Sequence, residues 1–178
     1  MNRWGIFIFA FLIYFVSIFG GFVQDDLVLI SGDPGIRKVE SLVLTWTRPY
    51  YYMQGNEFSA YRPMTSFSFY VNGLVTGTNP WGFRLFNMVL YGIVCVLVFE
   101  LMRRFFLDCH GLNTKLTMTN NLAFWVAMVF AVLPIHTEVV NNIVGRAEIL
   151  SLIFVISAIL ANFKNKWDLS AMYLFLRF

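Results

Sequence analysis

The chain has 178 residues, of which 58% are hydrophobic and 13% charged, and its mean hydropathy is +0.67. That balance excludes an ordinary soluble domain and points to an integral membrane protein. The net charge of +3 reflects 13 Lys and Arg against 10 Asp and Glu, and the basic residues form no continuous stripe, so nucleic acid is not an expected partner.

The first hydrophobic segment, residues 4–23, carries no charged side chain. At roughly 1.5 Å per residue it is long enough to cross a hydrocarbon core of about 30 Å. Asn2 and Arg3 before it and Gly20-Gly21 at its end allow a signal-peptide reading, but there is no Ala-x-Ala site and the apolar stretch is long for a signal core, so a retained anchor is expected. Asp25 and Asp26 follow directly. A carboxylate at mid-membrane costs on the order of 3 kcal/mol, so the pair marks the end of the span at a lipid surface.

Residues 24–80 form a long loop with structure of its own. Ser31-Gly32-Asp33-Pro34-Gly35 reads as a turn, and Val39 to Trp46 as a short helix. Pro63 precedes Met64, Phe67, Val71, Leu74 and Val75 at helical spacing, with proline in the permitted first turn, which predicts a helix lying along the interface with its apolar face in lipid or on the bundle. Asn79-Pro80 ends it. Three further spans are predicted at 83–102, 122–140 and 147–163, with a partial one at 169–178. Arg3, Arg103, Arg104, Lys115, Lys164 and Lys166 fall on one side if the amino terminus is cytosolic, so the 24–80 loop is placed outside. Cys95 and Cys109 have no partner at disulfide or metal-ligand spacing, and neither a metal site nor a cofactor site is expected.

Polar residues gather at the outer mouth of this bundle: Asp25, Asp26, Tyr61, Arg62, His136, Glu138, Arg146 and Glu148. Singly, each has a bland reading: His136 and Glu138 as an interfacial cap, Arg146 as the salt-bridge partner of Glu148, the Asp pair as a polar flank. Together, acids and arginines on one face suit an anionic, lipid-borne substrate.

The order Asp25-Asp26, Tyr61-Arg62-Pro63, Asn79-Pro80-Trp81-Gly82-Phe83 with Asn87, Pro134-Ile135-His136-Thr137-Glu138 and Gly145-Arg146-Ala147-Glu148 resembles the start of the transmembrane O-mannosyltransferases that target cadherins and their bacterial relatives. These are GT-C membrane glycosyltransferases. The resemblance runs from about Asp25 to Leu150, with Leu133 standing where the family commonly has a second histidine. It implies an all-α, GT-C-like helix bundle of which residues 1–178 are the N-terminal part, the family's further helices and tetratricopeptide repeats lying outside this sequence. It also implies transfer of a sugar, mannose being typical, from a polyprenyl-phosphate donor to a protein Ser or Thr hydroxyl with inversion. That chemistry takes place on the non-cytosolic face of a bacterial inner membrane or the endoplasmic reticulum. Carried over, Asp25 or Asp26 takes the acceptor proton, Arg62 and Arg146 hold the donor phosphate, and Tyr61, His136, Glu138 and Glu148 support them. Adjacent helical residues point about 100° apart, so only one carboxylate of the pair reaches substrate, and Asp26 is favoured. The rival expectation is a non-catalytic helical membrane subunit or a transporter fragment; the apolar span centres favour the enzyme.

Overall fold

Ala123, Ala127 and Ala131 recur every fourth residue, which puts three small side chains on one helical face, and all three are fully buried. That face lets its helix lie close against a longer one that runs through the middle of the molecule. The computed structural model describes residues 3–23, 26–47, 50, 61–110, 116–163, 169–170, 172–173 and 176. Among these all regular structure is helical: α1 (Arg3–Ile13), α2 (Glu40–Leu44), α3 (Pro63–Thr76), α4 (Pro80–His110), α5 (Leu116–Val132), α6 (His136–Asn141) and α7 (Arg146–Asn162). Short 3-10 segments occupy Phe15–Phe19 and Ile143–Gly145, and a π-helical turn Leu27–Ser31.

α4 is the central helix, with α1, α5, α7 and α3 laid against it. Its sequence is apolar around most of its circumference, the pattern of a helix covered on several sides. The main core joins Ile6, Ala10 and Tyr14 of the first segment to Met88, Tyr91, Val94 and Cys95 of α4, the α5 alanines, and Ile149 and Ile156 of α7. A second core, under the 24–80 loop, holds Ile30, Ile36, Tyr50, Phe69, Phe83 and Ile143.

Two helical stretches are long and apolar enough to cross a membrane, Pro80–Asp108 and Ile143–Asn162; Arg3–Ile13 and Thr117–Val132 are shorter apolar helices. The 83–102 and 147–163 expectations therefore fall inside single helices. The other two need correction. Residues 4–23 tighten into a 3-10 helix after Ile13 and run extended from Gly20. Residues 122–140 are broken at Leu133-Pro134, because proline has no N–H for the preceding turn and its ring clashes with it, so α6 starts afresh at His136. Of 169–178, positions 169–170 and 172–173 are helical and most of the rest lies outside the described residues.

The turn at 31–35 forms around Asp33, whose Oδ1 accepts from Gly35 N at 2.7 Å and whose Oδ2 accepts from the Tyr70 hydroxyl at 2.7 Å. This ties the loop to α3. α3 begins at Pro63 and ends at Gly77, whose φ of 68° is open to glycine at little cost. Its buried face carries Thr65, Phe69, Asn72 and Gly73, while Leu74 and Val75 of the apolar set point outward. At the opposite end of α4, Glu100 Oε1 meets Arg3 Nε at 2.6 Å and Oε2 meets Arg103 at 2.8 Å, pinning the start of α1 to α4.

Candidate functional site

Three sequence-distant segments converge near the start of α4: the stretch after the first helix (Gly20 to Asp26), the first turns of α4, and the junction between α6 and α7. The junction is shaped by Asn142, whose side chain accepts from Val144 N at 3.2 Å and caps the 3-10 turn. Gly145 lies so close to Val139 that a Cβ there would overlap its carbonyl.

Asp26 is fully buried in this convergence. Its Oδ2 accepts from Val23 N at 3.2 Å and its Oδ1 from Val144 N at 3.1 Å, so one carboxylate joins the exit of the first helix to the junction. Burial pushes the Asp26 carboxyl above the usual carboxylate range; the backbone N–H donors and the nearby charge of Arg84 offset this only in part. Asp25 lies outside the described residues.

Arg84, in the first turns of α4, is a central member of the cluster. It is 4% exposed, donates to the Asn141 carbonyl at 2.6 Å and to the Gly21 carbonyl, and its Nε has no hydrogen-bond acceptor among the described residues. A Cβ at Gly20 would stand 2.9 Å from its guanidinium carbon, so glycine leaves the room this side chain fills.

Arg146 departs most from expectation. It is fully buried at the start of α7 and donates from Nε to Asn87 Oδ1 at 2.8 Å. One terminal nitrogen reaches Ser68 O at 3.2 Å, and the other reaches Asn72 Oδ1 at 2.9 Å and Phe83 O at 3.0 Å. Its guanidinium stands 4.6 Å from the ring centroids of both Phe69 and Phe86. The expected Glu148 salt bridge is absent from the ion pairs among the described residues; Glu148, two residues on and hence on the far side of α7, is exposed. Asn87 extends the network by donating to the carbonyls of Asn142 and Ile143 at 3.1 and 3.3 Å. Such a guanidinium, with every donor face engaged by protein, acts as a frame for α3, α4 and α7.

The remaining residues sit apart from this cluster. Arg62 is exposed at the start of α3, its guanidinium 5.5 Å over the Tyr50 ring. Tyr61 donates to Trp46 O at 2.6 Å. His136 stacks on Phe130, ring centroids 4.3 Å apart, with its buried Nε2 unpartnered among the described residues. Glu138 is exposed in the first turn of α6. The structure thus brings Asp26 to the α6–α7 junction with Arg84, and Arg146 to Ser68, Asn72 and Asn87; these two clusters meet through Asn87 and the junction backbone. No three His, Cys, Asp or Glu side chains come together in a metal-holding group among the described residues. The signal for Arg84, Asn72 and Asn87 was their polarity within apolar helices, which burial makes costly without partners.

Comparison with known proteins gives the cluster a context. A protein O-mannosyl-transferase of Caenorhabditis elegans is 30% identical over 159 residues, 87% of this chain and 22% of that protein. Human protein O-mannosyl-transferase TMTC3 is 31% identical over 86% of this chain and 16% of its own length. For Drosophila melanogaster protein O-mannosyl-transferase Tmtc3 the figures are 32%, 87% and 18%. The chain therefore spans less than a quarter of the length of these relatives. No family model and no solved structure matches it.

Proposed function

From its relationship to the protein O-mannosyl-transferases, shared over most of its own length, we propose that this chain carries part of the catalytic end of a GT-C-like membrane glycosyltransferase. The enzyme moves a sugar, mannose by the name of its relatives, from a polyprenyl-phosphate donor to a Ser or Thr hydroxyl of a protein, on the non-cytosolic face. Residues 1–178 are the N-terminal part of its membrane domain, multi-pass, with the amino terminus cytosolic, in a bacterial inner membrane or the endoplasmic reticulum. Exposed Ile8, Leu12, Val16 and Phe19 on the first segment and Trp125, Val129 and Val132 on α5 support a lipid-facing surface.

The observation that carries the reading is the Asp26 carboxylate at the point where three segments lock together. A general base must reach the proton it takes, and Asp26 is enclosed with both oxygens engaged. We therefore assign Asp25 as the base and Asp26 as the residue that positions it, reversing the preference drawn from sequence. Attack of the acceptor oxygen on the anomeric carbon, opposite the phosphate, forms the new glycosidic bond, breaks the bond to phosphate oxygen and inverts the centre. Arg62, exposed and charged, is the donor-phosphate ligand, and Arg146 supports the site by holding α7 to α4.

The test is transfer from labelled polyprenyl-phosphate mannose to a Ser/Thr peptide, in membranes carrying the longest protein that contains this segment. Asp25→Asn should abolish transfer with the fold intact, while Asp26→Asn should lower transfer and thermal stability together. The internal satisfaction of Asp26 and Arg146 favours one rival, a non-catalytic membrane subunit or transporter fragment in which these charges serve the fold alone. Full transfer by the Asp25→Asn variant would decide for it.

A further inference from the structure

Beside the Asp26 cluster the surface opens into a groove of about 400 Å³, lined by Ile13, Tyr14, Val16 and Ser17 on one wall and Val132, Pro134, Thr137 and Asn141 on the other. That volume lies within the range of small-ligand sites. The lining contains no ionisable acid or base other than the phenol of Tyr14, so it offers a phosphate no positive countercharge. Instead it presents two alcohols, a phenol and a carboxamide. Tyr14 has the hydroxyls of Thr137 and Tyr91 as neighbours. Among the described residues Ser17 Oγ reaches the Met88 sulfur, at 3.9 Å, a weak acceptor. Asn141 Oδ1 is buried and has no donor among the described residues. Because this oxygen is closed off from solvent in its present rotamer, a ligand hydroxyl in the groove reaches it once the Asn141 side chain turns outward. The apolar half, with Val16 78% and Val132 50% exposed, suits the C–H face of a ring or the start of an alkyl chain.

We infer that this groove binds a neutral, hydroxyl-bearing group at the membrane boundary, with Ser17, Thr137 and Asn141 reading its hydroxyls. The inference rests on the proposed function for its sugar source: the Asn141 carbonyl is held by Arg84, which also holds Gly21, so the groove and the Asp26 cluster share one framework. In that setting the group is the sugar ring of the donor. The same chemistry is offered by the headgroup of a hydroxylated neutral lipid, and the test separates the two.

The experiment is native mass spectrometry of the chain released from detergent, titrated with octyl β-mannoside, with dioctanoylglycerol as a hydroxylated lipid lacking a sugar ring, and with octyl sulfate as an anionic control. A saturable single adduct with octyl mannoside alone supports the sugar source; the same adduct with dioctanoylglycerol as well supports the lipid source. Each lost hydrogen bond is worth about a fivefold change in affinity, so Thr137→Val and Asn141→Leu should each weaken the adduct by about that factor. Thr137 is exposed and its replacement is close in shape, so this variant reads binding even where Asn141→Leu disturbs α6. No saturable adduct with either neutral probe, equal binding of octyl sulfate, or unchanged affinity in the Thr137→Val chain overturns the inference. Binding does not use the base, so Asp25→Asn leaves the adduct in place; a failure of transfer with the adduct retained falls on the proposed function and not on the groove.

Discussion

Replacing Arg146 with alanine separates its two readings as frame and as phosphate ligand. The change removes the donors to Asn87 Oδ1, Asn72 Oδ1, Ser68 O and Phe83 O and the cation over the Phe69 and Phe86 rings. Each buried acceptor left without a donor costs about 1–3 kcal/mol. The acceptors share one cavity, so they relax together and their costs do not add; breaking one buried charged network sets the total at about 3–5 kcal/mol. For a chain of this size that corresponds to a fall in melting temperature on the order of 10 °C. Arg146→Lys keeps the charge but not the planar fork and should fall between. The assay is thermal unfolding in detergent followed by tryptophan fluorescence, with size exclusion at each step, together with a double-mutant cycle of Arg146→Ala and Asn87→Leu to measure their coupling. An Arg146→Ala protein that melts within about 2 °C of the parent yet no longer binds donor would refute the framing role and return Arg146 to the phosphate.

Arg84→Gln leaves the Gly21 and Asn141 carbonyls without their donor and should slow transfer on the order of a hundredfold through misplacement of the acid pair; an unchanged rate would remove Arg84 from the site. Because the Asp26 carboxyl is raised by burial, the native state favours its neutral form, so its contribution to stability is full below the ordinary carboxylate range and is lost as pH rises through the raised value. Asp26→Asn should flatten that fall in melting temperature, and a wild-type curve that climbs through the window relative to the variant would contradict the sign. Gly145→Ala forces a Cβ against the Val139 carbonyl and should cost about 1–3 kcal/mol, read in the same melt. Single cysteines at Asn56 and Asn113 test the orientation: labelling of position 56 from outside and of position 113 only after permeabilisation is expected, and the reverse would invert the topology.

The regular parts of the fold were legible where one local rule sufficed. α3 followed from Pro63 at its start and apolar spacing behind it, α4 and α7 from uninterrupted apolar runs, and the 31–35 turn from Asp33 and its glycines. The two misdrawn spans show where hydropathy alone misleads. Leu133, Ile135, Val139 and Val140 kept the third segment apolar through a break that Pro134 imposes on the backbone, and the first segment stays apolar through its change to a 3-10 helix after Ile13 and past its end at Gly20. The buried cluster was legible only in part: Asp26 and Arg146 stood out in the sequence, whereas Arg84, Ser68 and Asn72 did not. Arg146 depends on Ser68, Asn72 and Asn87, which belong to two other helices, and nothing local distinguishes a buried cation with four hydrogen-bond partners from an exposed one beside Glu148. Asp26 was marked by its position after the first segment, yet its enclosure depends on Val144.

That last contact also sets an order of events. The hydrogen bond from Val144 to Asp26 spans 118 positions of sequence. At a synthesis rate of about 5–20 residues per second, roughly 6–24 s pass between the appearance of the carboxylate and that of the amide that closes it in. Until the α6–α7 junction arrives, the Asp26 carboxylate lacks the Val144 donor that helps to enclose it, so this part of the scaffold is completed late in the emergence of the segment.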